Sequence, residues 1–178
     1  MEFDINEAIV KSRTIYLTSE VSSETARTVI AYLMYMDSLN HEEIKLYVNS
    51  PGGSVSDGLA IIDTMKLVKS PVHTIGIGLA ASMGALILAA GDKRSATEHT
   101  MVLIHQPLIG GQGVTGQATD IIITAERMKR TKETTSRLLS KYTGQPIERI
   151  VQDCERDYWM TAQEAKEYGL IDNVLLTE

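Results

Sequence analysis

Short apolar runs alternate along the chain with longer segments in which apolar residues recur at helical spacing. The short runs predict strands at residues 14–17, 44–48, 72–77 and 101–104. The spaced segments predict a helix over 23–39, capped by Ser22 or Ser23, and a second helix that begins near Ser54. Strands that alternate with helices in this way predict an α/β fold with crossover connections.

Further patterns near the middle and the end of the chain complete the outline of the fold. Residues 78–84 are small and predict a turn, and residues 85–90 continue as a buried helix with almost no polar atoms. Near the end of the chain, Thr161 and Glu164 form a capping-box pattern that predicts a last helix, with Gly169 after its end. Residues 174–176 are compatible with a closing strand.

The longest predicted helix runs from Gln117 to Tyr142, after a stretch at 110–116 with four glycines in seven residues. We expect that stretch to be extended or flexible. At 1.5 Å per residue the helix would be about 40 Å long, roughly the width of a domain of this size. We therefore expect it to project from the body and to pack its apolar stripe against another copy of the chain. The alternative is a helix that lies along the surface of its own body.

Composition narrows the class of protein mainly by exclusion. The 178 residues fit one domain, and 43% hydrophobic with 22% charged residues is ordinary for a globular chain. A formal net charge of −6 makes nucleic acid or an anionic membrane a poor partner. The single cysteine, Cys154, excludes an internal disulfide and favours a reducing compartment. We expect the cytoplasm, with an organelle matrix or stroma as the alternative. No apolar run reaches the roughly 18 residues that a membrane span needs.

Ser82 is the first candidate for chemistry. It lies between an apolar strand and an apolar helix, where its hydroxyl would meet unpaired N–H groups and the positive end of a helix dipole. Its Ala-x-Ser-x-Gly context is similar in layout to the Gly-x-Ser-x-Gly nucleophile elbow, without matching it. The alternative is a serine that only caps a buried helix.

A nucleophilic serine needs a base, and the chain contains four histidines. His41 lies in a polar turn, and neither His73 nor His99 carries a cue beyond a structural role. His105 ends the strand at 101–104 and leads toward the glycine-rich stretch, a common place for functional side chains in α/β folds. A structural role for His105 also stays open.

Two more features fit the same chemistry without requiring it. Asp157, one of nine aspartates, lies past a helix and beside the only tryptophan, but it could equally be a surface acid in a charged turn. Gly52 and Gly53, after Pro51, would let backbone N–H groups bind an oxyanion or a phosphate, or form an ordinary tight turn. No His-Glu-x-x-His motif or Cys/His cluster supports a metal site, so no metal or other cofactor is expected.

Six motifs in a fixed order resemble those of one known family. They are Asn49–Val55, Ala80–Ala85, Ile104–Leu108, Gly116–Ile121, Glu155–Asp157 and Glu167–Asp172. Together they are similar to the ClpP family, the proteolytic subunits of the ATP-dependent Clp proteases, from about Phe3 to the end of the chain. The resemblance implies a ClpP/crotonase-like α/β fold, a spiral of ββα units with a projecting handle helix. It implies one peptidase domain over 1–178, with the head at about 1–109 and 146–178 and the handle at about 110–145.

The resemblance also implies the chemistry of a serine endopeptidase. Ser82 matches the family's nucleophile, His105 its general base and Asp157 its orienting acid. Gly53 and Met83 match the positions whose backbone N–H groups form the oxyanion hole. No cofactor is implied, and the peptidase subunit itself would bind no ATP.

Assembly and partners are implied in the same way. The family forms two stacked heptameric rings around a chamber in which unfolded proteins and peptides are cut, fed by an AAA+ unfoldase of the ClpX, ClpA or ClpC type. Arg156 matches the ring–ring contact arginine. Tyr47, Leu67 and Leu175 match positions where the unfoldase docks.

Three departures from the family pattern concern partners and access. Lys45 stands where the family commonly has an aromatic residue in the docking pocket, and the loop between Pro107 and Gln117 is about three residues longer than is usual in the family. Almost nothing precedes Phe3, where the family usually carries an axial gate. Three alternatives remain: a catalytically silent or partner-dependent ring subunit of a mixed Clp complex, a crotonase-type acyl-CoA enzyme, and a phage or organellar relative with a special substrate.

Overall fold

Seven strands form one sheet in the part of the chain described by a computed structural model, residues 5–110 and 113–176. The strands are β1 (Thr14–Leu17), β2 (Ile44–Ser50), β3 (Val72–Ala81), β4 (Lys93–Thr97), β5 (Met101–Ile104), β6 (Tyr158–Thr161) and β7 (Asn173–Leu175). Five of them pair in parallel in the order β1-β2-β3-β4-β7. β5 pairs in parallel with β3, and β6 pairs antiparallel with β5. This mixed sheet confirms the predicted α/β fold class.

β3 is long enough to carry two neighbours along one side. Residues 73–76 pair with β4, and residues 79–81 pair with β5. Gly78 lies between the two pairings at a φ of +72°, which glycine adopts without strain. The turn predicted over 78–84 is therefore wrong: pairing with β5 extends the strand to Ala81, and the next helix begins at Met83.

Seven helices accompany the sheet within the same described residues. They are α1 (Ile5–Ser12), α2 (Ser23–Leu39), α3 (Val55–Leu67), α4 (Met83–Ala89), α5 (Ala118–Thr143), α6 (Ile147–Asp153) and α7 (Ala162–Tyr168). The Ser22 side chain accepts the Thr25 N–H at the start of α2, which decides between the two predicted caps. The capping box of Thr161 and Glu164 is present, and Gly169 ends α7 at a φ of +95°.

α4 lies at the centre of the core, and every one of its residues is buried. It packs on β2 and β3, and its other neighbours include α3 and α5. Gly84 lets its first turn approach β2 closely, since a Cβ atom there would lie 2.9 Å from the carbonyl oxygen of Ser50. This packing fixes the start of α4, which is where Ser82 lies.

α5 differs from the other helices because only its C-terminal half is packed. Its buried residues are Thr135, Ser136 and Leu139, and it contacts α4 and α6. Residues 118–134 contain no buried residue, and Ile122 is 59% exposed. These facts favour the projecting helix over one that lies along its own body.

Some sequence expectations fall outside this description. Gly111 and Gln112, within the glycine-rich stretch, and residues 1–4, which bear on the expected absence of an axial gate, lie outside the described residues. Among the helices that are described, none is both long and apolar enough to cross a membrane.

Candidate active site

Ser82 occupies the junction between β3 and α4 in a strained backbone conformation. Its φ is +56° and its ψ is −120°, a region that residues other than glycine rarely adopt. Its N–H donates to the carbonyl of Leu103 on β5 at 2.9 Å. Its hydroxyl makes no capping hydrogen bond, so the alternative of a serine that caps α4 through its side chain is not what the structure shows.

The Gly52–Gly53 loop lies directly against this junction. A Cβ atom on Gly52 would lie 2.6 Å from the Cβ of Ser82 and 2.8 Å from the carbonyl oxygen of Ala81. Gly52 also has a φ of +91°, so both space and conformation require glycine. The Ser50 hydroxyl accepts the Gly52 N–H at 3.2 Å and holds the loop at the end of β2.

The backbone N–H groups of Gly53 and Met83 have no hydrogen-bond partner among the described residues. Met83 is the first residue of α4, so its N–H lies outside the intrahelical hydrogen bonds. Val21 donates to the Gly52 carbonyl at 2.7 Å and accepts the Ser54 N–H at 2.8 Å, an arrangement that turns the N–H of Gly53 away from Val21. The Met83 nitrogen lies 3.0 Å from the Cβ position of Gly52, so the two donor-bearing segments are adjacent.

His105 and Asp157 are brought together by the antiparallel pair of β5 and β6. Ile104 pairs with Tyr158 at the end of that ladder, and the next residue on each side is His105 or Asp157. The Nδ1 of His105 lies 3.3 Å from Oδ1 of Asp157. The His105 side chain is 16% exposed, whereas that of Asp157 is 60% exposed. A carboxylate at Nδ1 favours the tautomer whose Nε2 accepts a proton.

Ser82 and His105 line one cavity, which we call the Ser82 cavity. The rest of its lining is mainly apolar: Val55, Met83, Leu86, Ile104, Pro107, Thr135 and Leu139. No hydrogen bond joins Ser82 to His105 among the described residues, and such bonds are often formed only when substrate is present. The cavity therefore combines a hydroxyl, an imidazole paired with a carboxylate, and an apolar wall.

The other three histidines do not line the Ser82 cavity. His41 pairs with Asp37 at 3.1 Å near the end of α2, and His99 is 87% exposed. His73 is buried on the sheet, where its Nε2 lies 3.0 Å from the hydroxyl of Ser95 and burial lowers the pKa of its imidazole. His105 is thus the one histidine among the described residues that lines the Ser82 cavity.

Near the His105–Asp157 pair lie three residues for which the sequence indicated no individual role: Gln106, Glu155 and Lys132. The Gln106 N–H donates to the Cys154 carbonyl at 2.7 Å, and its Nε2 donates to the Glu155 carbonyl at 3.0 Å. Lys132 on α5 binds the Glu155 carboxylate at 3.1 Å, and this hydrogen bond and charge lower the pKa of Glu155. The only sequence signal for Gln106 was its place beside His105.

Of the residues implied for assembly and docking, Arg156 lies next to the site, since it lines a groove with His105 and Asp157, whereas the docking residues do not line the Ser82 cavity. Arg156 is exposed, and its Nη1 donates to the Glu155 carbonyl at 3.0 Å. Tyr47 stacks on Tyr16 with ring centroids 5.5 Å apart, and Leu67, at the end of α3, is 74% exposed. Leu175 lies on β7, and Tyr47 lies on β2. Two strands, β3 and β4, lie between them, so the backbones of β2 and β7 are roughly 14 Å apart.

Comparison with known families agrees with this arrangement. The sequence matches the family model described as Clp protease over residues 1–178, the whole chain. The match rests on the sequence and not on the side-chain geometry, and the α/β fold of the family is the fold class observed here. The chain therefore belongs to the Clp protease family.

Proposed function

We propose that the protein is a serine endopeptidase that cuts unfolded proteins and peptides through an acyl-enzyme on Ser82. The observation that carries the proposal is the shared cavity: Ser82, on a strained turn, and His105, 3.3 Å from Asp157, line the same apolar-walled space. Membership of the Clp protease family supports peptidase chemistry in general.

The proposed mechanism assigns one role to each side chain. His105 takes the proton of the Ser82 hydroxyl as that oxygen attacks the scissile carbonyl carbon, and returns it to the leaving amine. Asp157 holds the imidazole through Nδ1 and stabilises its protonated form. His105 then takes a proton from a water molecule as the water oxygen attacks the acyl carbon. The bond from that carbon to the Ser82 oxygen breaks, the proton passes to the Ser82 oxygen, and the carboxylic acid product leaves.

The backbone N–H groups of Gly53 and Met83 would stabilise the oxyanion of each tetrahedral intermediate. Neither donor has a hydrogen-bond partner in the described structure; Gly53 lies in the bridge to Val21, and Met83 begins the buried helix α4. Donors that are already in place cost no reorganisation during the reaction, and removing one typically slows acyl transfer about 10²–10³-fold.

Membership of the family also supports an oligomeric assembly, and we infer the number and arrangement of its subunits. We propose two stacked heptameric rings, with α5 as the handle between rings and Arg156 at the ring–ring contact. An AAA+ unfoldase of the ClpX, ClpA or ClpC type would dock on Tyr47, Leu67 and Leu175, and the particle would work in the cytoplasm without a cofactor. The single peptidase domain with head and handle segments is part of this proposal.

Labelling with a serine-directed fluorophosphonate tests the proposed nucleophile and base. We expect covalent attachment at Ser82, seen by intact mass and peptide mapping, and loss of attachment in His105→Ala. His99→Ala is the matched control, because His99 is exposed and lies away from the Ser82 cavity. Attachment that survives His105→Ala would contradict the assigned base, and attachment at another serine would contradict the mechanism.

A further inference from the structure

A second groove adjoins the Ser82 cavity, between α5 and the residues that follow His105. It shares Val55 and Pro107 with the Ser82 cavity, so the two spaces meet at those side chains. Its far wall is formed by α5, including Arg127 and Arg130, for which reason we call it the arginine groove. An extended peptide advances about 3.3 Å per residue, so a substrate in the Ser82 cavity would enter this groove within a few residues of the scissile bond.

The charge of the arginine groove is all of one sign. Arg127 and Arg130 are its only charged lining residues, and no carboxylate lines it. The two arginines are three positions apart on one face of α5. Both are exposed in the single chain, and neither forms an ion pair with another described residue. Glu126 and Glu133 lie on the same helix but do not line the groove.

We infer that the arginine groove binds a carboxylate side chain of the substrate, so that the protein prefers peptides with Asp or Glu a few residues from the scissile bond. The inference rests on the proposed peptidase function and adds a substrate class to it. The apolar Ser82 cavity would hold an uncharged side chain, while the guanidinium groups would pair with the acidic one through a planar fork that matches a carboxylate. Because both arginines are exposed, each contributes a modest factor that salt screens.

The test measures binding and cleavage separately. Fluorescein-labelled peptides that differ only in one residue, Glu, Gln or Lys, placed at successive positions around the cleaved bond, are titrated against the assembled Ser82→Ala protein. The same peptides are then cleaved by the protein with Ser82 intact. Both measurements are repeated in Arg127→Gln, Arg130→Gln and Lys129→Gln. Lys129 is the matched control because it lies between the two arginines on α5 but lines a different groove, with Lys132 and Glu133.

We expect Glu at one or two adjacent positions to improve binding and kcat/KM over Gln, and Lys to weaken both. Each Arg→Gln change should remove about two- to fivefold of the Glu preference, Lys129→Gln should leave it in place, and salt near 0.5 M should reduce it. An equal preference in all variants, or no binding of any peptide, would overturn the inference. The proposed function is judged apart from this by labelling of Ser82: if peptides bind with the Glu preference but Ser82 is not labelled, the catalytic proposal fails while the groove assignment stands.

Discussion

Gly52 holds the candidate site open by having no side chain. An alanine there would place Cβ 2.6 Å from the Ser82 Cβ and would impose a φ of +91° on a residue that disfavours it. We expect Gly52→Ala to destabilise the protein by about 1–3 kcal/mol and to slow fluorophosphonate labelling of Ser82 at least a hundredfold, since the nucleophile and the Met83 N–H must shift. Gly110→Ala is the control, because nothing lies within 4 Å of its Cβ position. Equal labelling rates in the two variants would contradict this reading.

Gln106 is predicted to be a positioning residue for Asp157. The β5–β6 ladder ends at Ile104 and Tyr158, and beyond it Gln106 provides the next two hydrogen bonds to the opposite segment, at Cys154 and Glu155. Gln106→Met removes the side-chain donor at nearly constant volume. We expect kcat for peptide cleavage to fall about ten- to a hundredfold with KM little changed, because a small displacement of Asp157 leaves binding intact.

A double-mutant cycle distinguishes this role from general loosening of the fold. If Gln106 acts through Asp157, Gln106→Met should have almost no further effect on kcat in the Asp157→Asn background. Gln163→Met serves as the control, because the Gln163 side chain bonds only Glu167 on its own helix. Additive losses of kcat in the double variant would show that Gln106 does not act through the carboxylate.

The sequence predicted the place of Ser82 in the chain of elements better than it predicted the backbone conformation there. Ser82 was expected between a strand and a helix, and it lies there. Its positive φ was not predictable, because that angle depends on a hydrogen bond to Leu103 and on the approach of Gly52, both distant in sequence. The positioning role proposed for Gln106 could not be predicted from the sequence for the same reason, since the residues it bonds lie about fifty positions away.

At the scale of elements, local sequence patterns predict those strands and helices whose own apolar residues pack into the core. α2 and β5 match their predicted bounds, and the predicted bounds of α5 agree to within one residue. β4, with the sequence Lys-Arg-Ser-Ala-Thr, carries no apolar alternation and is a strand because β3 and β7 pair with it on both sides. β6 likewise depends on its pairing with β5. Such strands are determined by tertiary contacts that local patterns do not contain.

Arg94 on β4 ties together the ends of two helices. Its Nη1 donates to the carbonyls of Tyr142 at the end of α5 and Gly169 after α7, both at 2.8 Å, and its guanidinium pairs with Asp172. Burial raises the pKa of the Asp172 carboxyl, but hydrogen bonds and the charge of Arg94 outweigh it, so the pKa is lowered. A lowered pKa means that this pairing stabilises the fold above the unfolded value of about 4 and ceases to do so as pH falls through the folded value.

We therefore expect Asp172→Asn to lower the free energy of unfolding by about 1–3 kcal/mol at pH 7, the partial exposure of the carboxylate keeping the effect modest. The difference from the unaltered protein should shrink as pH falls below about 4, where the unaltered carboxyl also loses its charge. Urea denaturation at several pH values measures it. Asp120→Asn is the control, as Asp120 is exposed and forms no ion pair with a described residue. A difference that stays constant down to pH 2 would refute the electrostatic explanation.

At the scale of the whole molecule, the core of the chain explains the position of every helix except the N-terminal half of α5. A continuous apolar cluster surrounds α4 and includes Leu139 from the C-terminal half of α5. The N-terminal half of α5 instead exposes Ile121, Ile122 and Ile123 in one run. Exposed apolar surface of this kind on a helix is typical of an interface, and the apolar stripe in the sequence led to the same expectation of a partner. The number of copies and their symmetry depend on surfaces of two chains at once, and one sequence does not determine them.

Ile122→Asp tests whether α5 is the contact between copies. Since Ile122 is 59% exposed in the single chain, the change should alter the stability of an isolated subunit by less than about 1 kcal/mol. In the proposed assembly it would bury an unpaired carboxylate in every handle contact, at a cost of several kcal/mol each. We expect sedimentation velocity at micromolar concentration to show a particle of half the size or less, while Ile122→Leu retains the full assembly. An unchanged particle in Ile122→Asp would place the contact between copies elsewhere and leave the exposed isoleucines without a partner in the assembly.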